Sequence, residues 1–392
     1  MQIRWRRVTR RALLDWRTLF FTLRSMAARR VTAAELRDKC SAGACWLRRG
    51  SSVYDVSSFV KLHPGGEHLL QDRAGTDIQP DLDGPPHRHS DNALRWLEQY
   101  YVGEMEAEEP AQQHLRERGN HYTKKETHYS DGIQFHPFDP EKDLVDWEKP
   151  LLWQVGHLRE KYDEWVHQPV DRPIRLFQSD FVEWCSKTAW YIVLAVWAPV
   201  VVYLTWYCLT ELAQGETRLF ASFTKEYAIP VPVFCFFPLF FMGIMVWTLM
   251  EYGIHRYIFH MNPPASNYFL ITLHFMLHGQ HHKAPFDSSR LVFPPVPASF
   301  VIVPLYLLLQ VVLPPVVGLS LFVGGLFGYV VYDMMHYYLH YGSPYKGTYL
   351  AWLKSYHVRH HFEHQKTGFG ITSTLWDRPF NTLIPEDAIK DY

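Results

Sequence analysis

Hydrophobic and polar positions are divided unevenly along this chain of 392 residues. The first half mixes short apolar stretches with charge. The second half carries four long apolar runs. Thr188–Leu209 and Ile229–Met250 contain no charged residue, and at about 1.5 Å per helical residue each can cross the ~30 Å hydrocarbon of a bilayer. Pro297–Leu313 and Val316–Met335 form a third and a fourth run. Pro314-Pro315 and Gly318 between and after them predict a tight hairpin. Pro230, Pro232, Pro238 and Pro304 are compatible with membrane helices, whose freed backbone groups neighbours satisfy. The pattern predicts an all-α integral membrane domain over 146–392, with spans near 188–209, 229–250, 297–313 and 316–335.

The first half reads differently. VYDVSSFV (53–60) mixes β-branched and aromatic residues. His63-Pro64-Gly65-Gly66 follows, then the helical EHLLQDRAG. A small soluble α+β domain is expected over 31–103, and the acidic, polar stretch 104–145 reads as a linker. Residues 1–30 carry nine Arg against one acid, Asp15. The apolar WRTLFFTL (16–23) is too short to span. This basic extension suits a surface amphipathic helix, a transit-like peptide, or an upstream extension ahead of Met26.

Composition sharpens the membrane reading. Aromatics make up 16% and charged residues only 20%, a tilt that suits membrane interfaces, where amphipathic rings sit at headgroup depth. A net charge of −1 argues against nucleic-acid binding. The mean hydropathy of −0.18 averages the two dissimilar halves. Five cysteines (Cys40, Cys45, Cys185, Cys208, Cys235) form no Cys-x2-Cys pair, which disfavours both a cysteine zinc module and a disulfide framework.

The candidate chemistry lies in the histidines. Twelve of 22 fall between residues 255 and 364, and ten form four clusters: His255 and His260; His278, His281 and His282; His336 and His340; His357, His360 and His361. The clusters are interleaved with the apolar runs, His255 and His336 directly after two of them. Four spans put all ten on one membrane face together with the N-terminal domain, whereas an odd number would split them. Arg256, Lys283, Arg290, Lys346, Lys354, Arg359 and Lys366 mark that face as cytosolic. A histidine-lined transporter would place its ligands within the bilayer instead.

Residues three and four apart share a helix face, so three of the clusters can each converge. His255 and His260 are five apart, about 140° around an α-helix. Either the helix ends between them or they serve different ions. Ten imidazoles exceed one ion's capacity, and two ions with five or fewer ligands each is the economical count. His274 and His364 read as hydrogen-bonded core residues. Asp333, Tyr337 and Tyr338 either orient ligands or pack at the interface. Lys283, Arg290 and Arg359 are candidates to hold a substrate carboxylate, with plain surface charge as the alternative. An all-nitrogen set accepts iron, which can activate O2, or zinc, which cannot cycle between redox states.

His63 and His89 suit a different task. Two imidazoles from separate loops can clamp a haem iron from opposite sides, and iron so saturated passes electrons instead of binding oxygen. His87 is the rival for the second position. Together, VYDVSSFVKLHPGGEHLL and DGPPHRHSDNA resemble a cytochrome b5 domain over roughly 31–103, which implies haem b on His63 and His89.

The four clusters, in order between paired spans, resemble the fatty acid hydroxylase/sterol desaturase superfamily. LHGQHHKAPFDSSRLVFPPVPAS (277–299), YDMMHYYLHYGSP (332–344) and HVRHHFEHQKTGFGI (357–371) are similar to its fatty acid 2-hydroxylase branch, with the match covering about 31–103 and 144–385. The resemblance implies (R)-2-hydroxylation of long and very-long-chain fatty acids for 2-hydroxylated ceramides and other sphingolipids. It implies O2 as co-substrate, electrons from NAD(P)H through a reductase to the b5 haem, and residence in the endoplasmic reticulum membrane. It also implies a dimetal centre on all ten clustered histidines, with zinc the occupant in relatives. The fold expected is therefore a b5-like domain followed by four transmembrane helices and a cytosolic, histidine-rich helical cap. A sterol or fatty acyl desaturase, which would leave a double bond, and a membrane-anchored b5-type electron carrier, which would need no polyhistidine site, are the alternatives.

Overall fold

The computed structural model describes residues 29–106 and 144–385, apart from 58, 61–62, 64–66, 84–88, 90, 171, 220–228 and 346. Most of the basic extension 1–30 with its WRTLFFTL, most of the linker 104–145, the turn Pro64-Gly65-Gly66, Lys346 and the rival ligand His87 lie outside the described residues. The chain forms two compact units, Met1–His136 and Pro137–Tyr392.

The first unit is built on a four-stranded sheet of β1 (Arg30–Val31), β2 (Trp46–Arg49), β3 (Ser52–Asp55) and β4 (Tyr101–Met105), in the order β1-β4-β3-β2. β2 and β3 form an antiparallel hairpin. Its turn uses Gly50 at φ +60, the left-handed region that glycine enters without a Cβ penalty. Helix α1 (Ala33–Ser41) starts where Thr32 accepts from the Glu35 N–H at 3.0 Å, an N-cap satisfying one of the first turn's orphan donors. Alternation along β2 and β3 feeds two cores. Leu47 and Tyr54 join Val56, Val60, Ile78 and Leu82 on one face, and Trp46 and Val53 join Val31 and Leu36 on the other. Short helices α2 (Glu67–Gln71), α3 (Gln79–Asp83) and α4 (Asp91–Leu97) complete this α+β unit.

Ahead of the spans, the second unit has a helical turn at Leu152–Val155 and the short helices α5 (Tyr162–Val166) and α6 (Asp180–Cys185). Four helices of the described residues are long and apolar enough to cross a membrane. They are centred on α7 (Trp190–Ala213), α8 (Phe236–Gly253), α11 (Pro295–Val312) and α12 (Pro315–Tyr341), and they make this an integral membrane protein. Pro314 breaks the third helix from the fourth, as the hairpin expectation had it. Helix α12 is the hub: 56% of its apolar window is buried, against 11–17% for the other three. Those three turn Val202, Phe241 and Val311 outward, the surface a lipid solvent demands.

Small residues let the hub approach its neighbour. A Cβ on Gly324 would strike the Phe240 carbonyl, one on Gly243 the Leu321 carbonyl, and one on Gly328 the Trp247 side chain. Close backbone approach at small residues holds membrane helices together where no hydrophobic drive exists. Gly324→Val should therefore cost about 1–3 kcal/mol or more by overpacking. Thermal unfolding of the detergent-solubilised protein checks this, and an unchanged midpoint would place the two helices further apart than described.

The second and fourth spans run past the expected ends at Met250 and Met335. Helical hydrogen bonding continues through the histidine-bearing turns, which hydropathy reads as too polar to count. Helix α8 passes into a π-helical turn, Ile254–Phe259, and α12 reaches Tyr341. The cap is completed by α9 (Tyr268–His274), a second π turn (Phe275–Gly279), α10 (Gln280–Lys283) and α13 (Tyr349–Phe362). Ile271 and Phe275 seat this layer on Leu151, Val155, Trp165, Val166 and Leu176.

Candidate metal centre

The structure brings the ten clustered histidines into two adjoining groups. His281, His336, His340, His357 and His361 form the first, and His255, His260, His278 and His360 the second; within each group one nitrogen per ring lies within 4.8 Å of every other. In the first, the Nε2 atoms of His336 and His281 are 3.0 Å apart, those of His340 and His357 2.9 Å, and those of His361 and His357 3.1 Å. In the second, His255 and His278 are 3.2 Å apart and His360 and His260 2.9 Å. His282 completes it from the side, its Nε2 3.2 Å from that of His260.

These separations have a specific meaning. Two nitrogens, each about 2.1 Å from one ion and about 90° apart around it, sit ~3.0 Å from each other. The proton positions agree. The Nδ1 atoms of His255, His336 and His360 face the carbonyl oxygens of Phe369 (2.6 Å), Leu291 (3.1 Å) and Thr367 (2.7 Å). A carbonyl only accepts, so each Nδ1 carries the proton and each Nε2 turns a lone pair into its group. Burial first, and neighbouring histidines second, hold His278, His281, His282, His357 and His361 well below the usual histidine range. His360 is pushed down to about 3, again chiefly by burial. The neutral ring is the ligating form. Neither group contains a carboxylate. Two pockets of neutral nitrogen fit first-row transition ions such as zinc or iron.

Folding at the two π turns makes this convergence possible. The His260 N–H donates to the His255 carbonyl at 3.0 Å, an i→i+5 bond. That bond sets residues five apart on one face, and the two rings stand 4.8 Å apart. The helix does end between them, at Phe259, but they share one group and do not serve separate ones. The 140° offset assumed α geometry.

Three cations expected to meet a substrate carboxylate are occupied elsewhere, and none is plain surface charge. Lys283 is buried, donates to the carbonyls of Trp165 (2.8 Å) and Gln168 (2.6 Å), and lies 4.4 Å from the Trp165 ring centre. Arg290 bonds Glu183 at 2.5 Å and Ser186 at 3.0 Å. Arg359 pairs with Glu363 at 2.8 Å. A long polar tip is satisfied inside as its stem is buried, which cluster proximity in sequence does not reveal. Asp333 accepts from the Phe293 N–H at 3.1 Å, and so holds the loop whose Leu291 carbonyl orients His336. Tyr337 stacks on Tyr341 at 5.1 Å, a packing role. His274 is buried with its Nδ1 2.5 Å from the Tyr162 hydroxyl, outside both groups, and His364 joins neither.

One contributor left little mark in the sequence. Asp377 is fully buried and accepts from the N–H groups of Phe369 (3.0 Å) and Gly370 (2.9 Å) and from the Thr382 hydroxyl (2.7 Å). It fixes the peptide whose carbonyl orients His255. Burial raises its pKa. An acid eight residues beyond Phe369 was the only available signal.

In the first unit, the rings of His63 and His89 stand 6.5 Å apart between centres, with planes 23° from parallel. Room for one metal atom, with bonds of about 2 Å on either side and ~1 Å from ring nitrogen to ring centre, requires ~6 Å. Phe59 lies edge-on to His63 at 6.0 Å. The pair fits axial ligation of a haem.

Comparison with known proteins agrees with both units. Residues 32–106 match the family model for the cytochrome b5-like haem/steroid binding domain, and residues 240–382 that for fatty acid hydroxylase. A fatty acid 2-hydroxylase of Homo sapiens is 60% identical over 353 residues, covering 90% of this chain and 95% of the relative. A ceramide very long chain fatty acid hydroxylase of Saccharomyces cerevisiae is 36% identical, covering 89% and 92%. A solved structure of full-length scs7p, in which only the hydroxylase domain is visible, is 35% identical with a TM-score of 0.52, covering 62% of this chain and 86% of that one. The chain belongs to the fatty acid 2-hydroxylases, in which a cytochrome b5-like haem-binding domain is joined to a membrane-embedded fatty acid hydroxylase domain.

Proposed function

We propose that this chain inserts a hydroxyl group at C2, in the (R) configuration, of long and very long acyl chains destined for ceramides and other sphingolipids. The observation that carries the reading is the pair of all-histidine groups with Nε2 separations of 2.9–3.2 Å at the ends of the spans. The relatives' names supply the acyl substrate and, for the yeast protein, ceramide. His255, His260, His278, His281, His282, His336, His340, His357, His360 and His361 hold two ions in this reading. Iron is the working metal, with zinc able to take its place, and when bound it supplies the redox chemistry that O2 needs.

The chain's own residues do the rest. The spans keep the acyl tail in apolar surroundings and leave its carboxyl end at the interface, so that C2, one bond away, meets the histidine groups. Burial keeps water from nine of the ten rings, with His260 half-buried, and the three carbonyl bonds turn the Nε2 lone pairs of His255, His336 and His360 inward. One atom of O2 enters the C2–H bond and the other leaves as water, a change that consumes two electrons and two protons. His63 and His89 would hold a haem, which when bound would supply one-electron transfer from an NAD(P)H-dependent reductase. The chain then sits in the endoplasmic reticulum membrane with the b5-like unit and the histidines cytosolic, the side favoured by Arg256, Lys283, Arg290, Lys354, Arg359 and Lys366.

Lipid mass spectrometry of cells expressing the chain, paired with metal analysis of the purified protein, tests this. The expected result is accumulation of 2-hydroxyacyl sphingolipids and two non-haem ions beside one haem per chain. A new double bond in place of the hydroxyl would favour a desaturase. Haem iron as the sole metal would favour a membrane-anchored electron carrier.

A further inference from the structure

With Lys283, Arg290 and Arg359 committed to structural partners, another cation stands beside the second histidine group. Arg256 follows His255 in the π turn at the end of the second span. It is half-buried, and no carboxylate among the described residues pairs with it. Four aromatic rings surround its guanidinium: Tyr257 at 5.0 Å, Phe380 at 5.8 Å, Tyr252 at 5.9 Å and Phe369 at 6.0 Å between Cζ and ring centre. Phe369 is shared with the histidines, its ring 5.3 Å from His260, 5.7 Å from His360 and 5.8 Å from His255. The guanidinium is thus one aromatic ring away from the candidate metals.

Its hydrogen bonding is one-sided. Nη1 donates to the Tyr252 hydroxyl at 2.8 Å. Tyr252 lies 2.8 Å from the Thr382 hydroxyl, which gives its own proton to Asp377. Tyr252 must therefore donate onward to Thr382, and the relay ends on the carboxylate that holds the Phe369 peptide. One nitrogen of the planar fork is spent on this relay. Arg carries five N–H donors, so most of its capacity remains for a ligand. A guanidinium is weakly hydrated and rests well on aromatic faces. It stands near the end of the second apolar span, and span ends are where a lipid whose tail is in the bilayer presents its oxygens.

We propose that Arg256 docks the C1 oxygen of the acyl substrate, and so sets C2 against the histidine groups. This deepens the hydroxylase reading and rests on it. The shared chemistry is an oxygen acceptor on C1, which a free carboxylate and an N-acyl amide both possess. The relay to Asp377 keeps the fork oriented, and the four rings exclude competing water.

The test uses the full-length protein in phospholipid vesicles with a reductase, titrated with a long-chain fatty acid and, separately, with an N-acyl sphingoid base. Arg256→Gln should raise the apparent KM about 10-fold or more and lower kcat for 2-hydroxylation, while metal content holds. Arg256→Lys, which keeps the charge and loses the fork, should fall between. A KM rise for both substrates assigns the common C1 oxygen, and a rise for the acid alone assigns the carboxylate. A competition assay on the unaltered enzyme needs no variant: a fatty acid should inhibit at concentrations at least about 10-fold lower than an alkane of equal length. Equal inhibition by acid and alkane, an unchanged KM in Arg256→Gln, or metal lost in step with activity overturns the docking role. Absence of hydroxylated product from the unaltered protein would strike the hydroxylase reading itself.

Discussion

Replacing His281 with alanine is expected to lower 2-hydroxylated product at least about 100-fold and to remove at least one metal ion per chain, since structural support alone is worth 10–100-fold at such sites. The ring of His281 is 4.6 Å from that of His336, 4.7 Å from His340 and 4.5 Å from His361. It is the first group's only member from α10. Its removal leaves four nitrogens and a ring-sized gap that water enters. His274→Gln is the control. His274 is buried to much the same degree, at 6% against 5% exposure, but its ring bonds the Tyr162 hydroxyl. That change should cost stability and leave both ions bound. Metal analysis and product assay on the same preparations read both variants. A His281→Ala protein with full metal and product would take His281 out of the ligand set, and equal metal loss from both variants would mean that burial, not ligation, explains the first.

The contrast between these two histidines shows what the sequence made legible. The four spans could be read because lipid exposure demands unbroken apolar length, and α7, α8, α11 and α12 supply it. Eight of the ten clustered histidines could be read because i, i+3 and i+4 spacings place rings together on any helix, as His357, His360 and His361 do on α13. His274 could be set apart because it stands alone. What escaped depends on geometry that residue types do not encode. The π turn that unites His255 with His260 leaves the same letters as an α turn. The carbonyls of Leu291, Thr367 and Phe369 that set three tautomers could come from any residue. Lys283 and Arg359 adjoin histidines in sequence, yet their tips reach Trp165 and Glu363. Arg256 carried no distinguishing signal until four rings were placed around it.

The second large effect concerns the haem unit. His63→Ala should abolish the haem absorbance and reduce hydroxylation to near background, with the membrane unit still folded and still holding its metals. Separate packing is the reason for that selectivity. The first unit closes its own cores around Leu47, Tyr54 and Ile78 and around Val31 and Trp46, while the second is organised on α12 and the histidine groups. An axial imidazole cannot be spared, because haem iron held by two histidines depends on both for affinity and for exclusion of oxygen. His89→Ala should behave the same way, and a normal haem spectrum in that variant would reassign the second ligand to His87. Added soluble cytochrome b5 with its reductase should restore turnover, but only at high concentration. A fused donor enjoys an effective concentration in the millimolar range that a free one must match by mass action. Full activity of His63→Ala without added donor would defeat the relay. Failure of rescue alongside lost metal would show that haem loss unfolds more than its own unit, and the two outcomes separate an electron path from a structural dependence.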